Sequence, residues 1–279
     1  MKVAILLTVY NRKNVTIKAL TKLTSILQKD KKRHYEIYMT NDGCTDGTPV
    51  EVQRLFPTIH IINHSGNLYW CGGMNLAWSV SLEQQFDYYI WFNDDAMLND
   101  KALNLLFQPI EKFGNMVIVC GAFKSMSGIV SYGGKDRRGN LIEPNGVFKE
   151  IHYMNGNWVL ISQEVFLKLG MIDSMYTHSL GDWDYGLRAR KMGIKVFLTG
   201  AYVGSTDRHD DEVLFCRREL SLKQRIQYLY SPKYSVIASF RFKRRHLGLF
   251  KAIFSILASH LYILFPFLYK IRIGCKSKK

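Results

Sequence analysis

Apolar residues fall along this chain in short dense runs that alternate with stretches of helical spacing. Val3 to Val9 is apolar and β-rich and predicts a first strand. Val15, Ile17, Leu20, Leu23, Ile26 and Leu27 then recur at helical intervals, and Tyr35 to Met39 predicts a second strand. A β-α-β unit completed within about forty residues is the mark of a parallel sheet. Ile59 to Ile62 reads as a third strand, and Cys71-Gly72-Gly73 opens a helix that runs through Trp78 and Leu82. Tyr88 to Phe92 has no polar alternation, which predicts a strand covered on both faces. A helix from Lys101 to Phe107 and a strand near Met116 to Cys120 follow.

The pattern then changes. Residues 122–150 are rich in glycine and polar side chains and predict hairpins or loops beside the sheet, placed to cover a cleft. Tyr153 to Ile161 is strand-like but is broken by Asn155-Gly156-Asn157. Ser162 is placed to cap a helix over Gln163–Leu169, with Glu164 in its first turn and Gly170 closing it. A further helix carries Asp182 and Asp184 at its start, ends basic and closes at Gly193; Val196 to Leu198 is the last strand. The expected architecture is α/β: a mostly parallel central sheet flanked by helices over 1–215, then a basic and apolar helical region over 216–279.

Charge sharpens that boundary. The net charge is +15, yet no Asp or Glu occurs after Glu219, whereas thirteen Lys and Arg do. An excess so placed points to an anionic partner surface. The five cysteines are widely spaced and form no CxxC pair, which argues against a zinc site and a disulfide framework and for reduced thiols in a cytoplasmic setting. The apolar run after Lys2 is too short for a signal peptide.

Candidate chemistry gathers where strands end. The buried run stops at Asn93-Asp94-Asp95. Ligands of parallel α/β sheets bind beyond the carboxyl ends of strands, and two adjacent carboxylates there repel unless a cation relieves them. Mg²⁺ or Mn²⁺ suits one carboxylate plus substrate phosphates; a polar turn capping a strand is the plain alternative. Asp182 and Asp184 likewise read two ways, as complements to a helix dipole or as a general base at the cleft. His209, among carboxylates in 205–212, is a further candidate metal ligand.

Four motifs in order resemble the family 2 glycosyltransferases of GT-A fold: Thr8-Val9-Tyr10-Asn11-Arg12; Asn41-Asp42-Gly43-Cys44-Thr45-Asp46-Gly47-Thr48, near DxGSTDGT with Cys44 for Ser; Asn93-Asp94-Asp95 in the place of DxD; and Gly181-Asp182-Trp183-Asp184-Tyr185-Gly186-Leu187-Arg188, near EDxDLxxR. Asn67 with Gly72-Gly73-Met74-Asn75 is similar to a rhamnosyltransferase-like branch. The resemblance covers roughly residues 1–210. It implies inverting transfer of a sugar from a UDP- or TDP-sugar to a hydroxyl of a lipid-linked or glycan acceptor in cell-surface polysaccharide synthesis. It implies that Thr8, Tyr10, Arg12, Asp42, Asn67, Gly73, Asn75 and Asp94 bind the donor, Asp94 near the ribose. Asp95, with Asn93 and His209, would bind the metal, and Asp182 would act as base. Asn93 and Gly181 depart from the acidic residues usual at their positions. Two alternatives remain open: a sugar-nucleotidyltransferase, although Thr8 to Arg12 lacks the glycine-rich loop that would hold a triphosphate, and an inactive nucleotide- or glycan-binding membrane module.

The run 247–269 is long enough to span a bilayer, yet Lys251, Ser255 and Ser259 draw a polar stripe along it and basic clusters flank it on both sides. That pattern predicts a helix lying on an anionic leaflet, peripheral on the cytoplasmic face of the membrane. Nucleic acid is not an expected partner, because the basic residues bracket an apolar run.

Overall fold

The computed structural model describes residues 1–207 and 213–269. They fall into two compact units: Met1–Ser174 with Gly181–Arg208, and Met175–Leu180 with His209–Lys279.

In the first unit the chain runs β1 (Lys2–Val9), α1 (Lys13–Lys29), β2 (His34–Asp42), α2 (Thr48–Leu55), β3 (His60–His64), α3 (Tyr69–Ser81), β4 (Tyr88–Phe92), β5 (Met97–Leu98), α4 (Ala102–Phe113), β6 (Val117–Lys124), β7 (Val130–Tyr132), β8 (Lys149–Glu150), β9 (Trp158–Ser162), α5 (Gln163–Leu169), α6 (Gly181–Lys191) and β10 (Lys195–Ser205). The sheet order is β3-β2-β1-β4-β9-β6-β10-β5, with β7 on β6 and β8 on β10.

The β-α-β reading holds over the first half. β1 pairs in parallel with β2 and with β4, and β2 with β3. Val3 to Leu7 and Tyr88 to Phe92 are buried throughout, as strands covered on both faces must be. Helix α1 turns Thr16, Ala19, Leu20, Leu23 and Ile26 inward; Leu20, Leu23 and Ile26 belong to the apolar stripe seen in the sequence, whereas Val15 is exposed.

The expectation of a mostly parallel sheet is corrected: the sheet is mixed. β9 runs antiparallel between β4 and β6, and β5, β7 and β8 also pair antiparallel. The reason is the excursion over 122–150. It carries the chain around the sheet through two short strands, so that Trp158–Ser162 enters from the opposite end. Each residue of this strand is apolar except its last, so periodicity alone did not reveal its direction.

Other bounds shift modestly. The last strand extends to Ser205 and α4 continues through Pro109 to Phe113. The Ser162 cap is as the sequence predicted: its Oγ accepts from the Val165 amide at 3.1 Å, and Gly170 ends α5 at φ 69°.

The second unit holds a short 3₁₀ turn (Leu214–Cys216), α7 (Leu222–Tyr230), α8 (Val236–Leu247) and α9 (Leu249–Leu264). Leu229, Val236 and Ile263 form a small core of their own, against which Phe215 and Ile256 pack. A full capping box, Ser221 with Gln224, starts α7. The apolar run 247–269 is not one helix: Gly248, at φ 97°, separates α8 from α9.

Candidate active site

The carboxyl ends of β1, β2 and β4 bring the first three motifs together. Asn11, in the left-handed region at φ 49°, follows β1, and its Oδ1 accepts from the Thr45 amide at 2.7 Å. Asp46 accepts from the Lys13 amide at 2.9 Å and from the Thr48 hydroxyl at 2.6 Å, tying the start of α1 to that of α2. Two polar strand ends are thus knitted by side chains that take backbone N–H groups no strand or helix uses.

Asp42 caps the entry to α3. Its two oxygens accept from the Leu68 and Tyr69 amides at 2.9 Å each, which holds Asn67 and Tyr69 at positive φ. Of the residues assigned to a donor, Tyr10 is 59% exposed, Thr8 is half-buried and Asn67 is exposed. Gly73 is needed for packing: a Cβ there would stand 2.1 Å from the Thr8 hydroxyl oxygen, and its carbonyl already accepts from Thr40 at 2.8 Å. Asn75 donates to the Ile172 carbonyl at 2.8 Å, an anchor for the segment between α5 and α6.

Arg12 stands between the paired carboxylates. It donates to Asp94 through one nitrogen and to Asp95 through the other, the latter at 3.0 Å. Asp94 is fully buried and also accepts from the Thr16 hydroxyl at 2.6 Å. Burial pushes its pKa up to about 6, against the pull of Arg12 and Thr16. Thr16 escaped the sequence reading; its signal was its place on the inward face of α1, one turn after Arg12.

Asn93 is committed to structure. Its Oδ1 accepts from the Trp70 indole N–H at 2.6 Å, its Nδ2 donates to the Asn157 side chain at 2.5 Å, and its backbone N–H donates to the Asn157 carbonyl at 3.0 Å.

The fourth motif joins the others through the break at 155–157. The Gly156 backbone N–H donates to Asp182 at 3.1 Å, while Asn157 next to it holds Asn93. A Cβ on Gly156 would meet the Trp70 ring at 2.4 Å and the Asp182 Cβ at 3.5 Å, so this glycine leaves the room that Trp70 and Asp182 occupy. Asp182 also accepts from the Trp183 amide at 2.8 Å. Burial raises its pKa to about 6, against these two N–H groups and the positive charge of Lys135. Lys135 lies 4.9 Å from the Trp183 ring centroid, and Trp183 stacks at a tilt on Tyr153 at 4.6 Å. The break at 155–157 is visible in the sequence but its role is not, and nothing local in the sequence singles out Trp70 or Lys135.

Asp184 serves the fold. It is buried and pairs with Arg188 at 2.8 Å; Arg188 then donates to the Leu169 and Met171 carbonyls at 2.8 and 3.0 Å. Gly181 is where it is because a Cβ would meet the Cys71 sulfur at 2.6 Å.

For a divalent cation the fit is partial. Asp94 is taken by Arg12 and Thr16, and the Asn93 oxygen by Trp70. His209 lies outside the described residues. Among the described residues no three His, Cys, Asp or Glu side chains gather as a cage. Asp95 is also held by Arg12, at 3.0 Å, but its side chain is 18% exposed, which suits an ion shared with the phosphates of a ligand.

A mixed α/β sheet with acidic groups at the strand ends, and a half-buried carboxylate, Asp182, tied to them through Asn157 and Gly156, marks a GT-A-like fold. Residues 4–170 match the profile of glycosyl transferase family 2, and the chain belongs to that family. The match ends before Asp182. Among solved structures the fold is similar to the mannosyltransferase PcManGT from Pyrobaculum calidifontis, in complex with GDP-Man and Mn²⁺: 14% identity, TM-score 0.54, covering 92% of this chain and 73% of that one. It is also similar to GalNAc-T7 with UDP, GalNAc and Mn²⁺: 11% identity, TM-score 0.55, covering 88% of this chain and about half, 51%, of that one. No curated protein matches the sequence. Family membership sets aside the sugar-nucleotidyltransferase alternative.

Proposed function

We propose that this protein is an inverting glycosyltransferase that moves a sugar from a nucleoside-diphosphate sugar to a hydroxyl of a lipid-linked or polysaccharide acceptor, with Asp182 as the general base. The observation that carries the reading is the link from Asn93 through Asn157 and Gly156 to Asp182, which fixes one isolated carboxylate beside the acidic strand end.

An acceptor alcohol is a poor nucleophile and needs a positioned base in the transition state. Asp182 is oriented by two backbone N–H groups, and its pKa of about 6 keeps it ionised at neutral pH while leaving it basic enough to take a proton. Asp184 is occupied by Arg188, so a single carboxylate is offered to the reaction. One base and a single displacement invert the anomeric centre; a two-step retaining route would need a second carboxylate as nucleophile.

Tyr10, with Arg12 beyond it, would hold the nucleoside and Asp94 would lie near the ribose. Asp95 would hold a Mg²⁺ or Mn²⁺ ion shared with the diphosphate, where the ion's chemistry is to stabilise charge on the leaving group. We favour UDP or TDP as nucleotide and a deoxyhexose such as rhamnose as sugar, on the Asn67 to Asn75 pattern.

The test is calorimetric titration with UDP, TDP, GDP and CDP, with and without Mn²⁺, on the wild-type chain and on Asp182→Asn. Tight binding of one diphosphate, weakened without metal and retained in Asp182→Asn, is the expected result. No binding of any diphosphate would overturn the reading. Binding without sugar transfer to any acceptor fraction would favour an inactive binding module.

A further inference from the structure

Helix α9 is built inside out. At about 100° per residue, Phe250, Ile253, Phe254, Leu257, Leu261 and Leu264 fall within one arc of about 100°, and each is 44% exposed or more; Phe250 reaches 90%. Ser255 and Ser259 lie on the opposite side. Lys243 of α8 donates to the Ser255 hydroxyl, and Ser259 donates to the Ser255 carbonyl at 2.9 Å. His260 bonds the Ile256 carbonyl and the Tyr230 hydroxyl at 2.9 Å each, and Arg225 of α7 donates to the Ile263 carbonyl at 2.5 Å. The polar stripe noted in the sequence is turned toward α8 at Ser255.

A helix facing water does the opposite. An exposed apolar stripe of this extent calls for a cover. The charge around it selects which. Arg241, Arg244 and Arg245 are exposed on α8, Lys251 is exposed at the start of α9, and no carboxylate follows Glu219 in the chain. A second copy of this chain would bring the same positive charge to the same surface, and repel. An anionic lipid leaflet offers negative headgroups beside an apolar interior. The helix has 16 residues, which at 1.5 Å each is about 24 Å and short of the roughly 30 Å hydrocarbon core. Among the described residues no helix is long and apolar enough to cross a membrane.

We propose that the outward face of α9, from Phe250 to Leu264, is a membrane-docking surface that lies in the plane of an anionic leaflet, with the basic residues of α8 on the headgroups. The aromatic pair Phe250 and Phe254 supplies the insertion, and Arg244 and Arg245 supply the preference for negative lipid.

The full chain is sedimented with vesicles of phosphatidylcholine alone and of phosphatidylcholine containing about one-third phosphatidylglycerol, with no nucleotide present, so the result stands apart from the transferase reading. The expected result is binding to the mixed vesicles that falls at least tenfold on neutral ones and in high salt. The double variant Phe250→Ser/Phe254→Ser should lose at least tenfold on both vesicle types. Arg244→Gln/Arg245→Gln should lose the preference for phosphatidylglycerol. Circular dichroism on each variant confirms that it folds, since all four side chains are exposed. Wild-type binding by the phenylalanine variant, or no vesicle binding by the native chain, would overturn the proposal. So would a dimer in vesicle-free solution that the same phenylalanine substitutions split, which would assign the face to a second copy.

Discussion

The indole N–H of Trp70, at the start of α3, donates to the side-chain oxygen of Asn93, at the end of β4, at 2.6 Å. The same tryptophan ring fills the space where Gly156 lacks a side chain, and Asp182 borders that space. The residue that departs from the acidic pattern therefore has a role a carboxylate would fill differently: its oxygen takes the indole N–H while its amide donates to Asn157 at 2.5 Å. An Asp at this position could accept the first bond but could not donate the second.

Breaking this link should be felt at the base before it is felt in folding. Trp70→Phe leaves the Asn93 oxygen without its indole donor and should cost about 1 kcal/mol in stability. The larger effect is expected on kcat, because Gly156 orients Asp182. Steady-state kinetics beside urea denaturation checks this; an unchanged kcat with lowered stability would assign the bond to the scaffold alone.

Asp182 should set the acid limb of the rate profile. A general base works only when deprotonated, and burial has raised this group to about 6. The rate should thus fall about tenfold per pH unit below that value and level off above it. Asp182→Asn should reduce kcat by about 10²–10⁴-fold and abolish the limb. A limb that survives in the Asn variant belongs to another group.

Arg12 neutralises a buried charge as well as facing the cleft. In Arg12→Met, Asp94 keeps Thr16 but loses its cation, so its pKa rises further above about 6. A carboxyl with a raised folded pKa is stabilised by protonation, and that contribution is lost as pH rises through the folded value. The variant should therefore be close to wild type near pH 5 and less stable by about 1–2 kcal/mol near pH 8, a figure reduced because the Arg12 side chain is 39% exposed. Urea melts at the two pH values decide it; a deficit equal at both would show that Asp94 does not depend on Arg12.

Asp184 should behave as a fold residue. Asp184→Asn weakens a pair whose acidic member is fully buried and loosens the hold of Arg188 on Leu169 and Met171. A loss of about 2–3 kcal/mol is expected, with nucleotide affinity intact on the folded fraction. Titration calorimetry and thermal unfolding separate the two; lost affinity without lost stability would give Asp184 a place in the site.

Much of this was legible from local signals. Dense apolar runs against helical spacing marked most strands and helices of the first unit, and turn and cap chemistry marked their ends: Ser162 and Gly170 bound α5 as read. The four polar motifs fall after strands or at a helix start, because that is where a parallel unit leaves side chains facing a cleft. These features depend on a residue and its near neighbours in sequence.

What the sequence could not carry is set by distance along the chain. The direction of β9, which makes the sheet mixed, depends on the route of residues 122–150. Asn93 meets Asn157, and Trp70 meets Gly156, across tens of residues whose spacing has no period to read. The orientation of α9 was open for the same reason: periodicity placed its serines on one face, but only packing against α8 determined that this face looks inward. Hydrophobic pattern fixes which faces differ; which of them is buried is decided by what the rest of the chain brings against it.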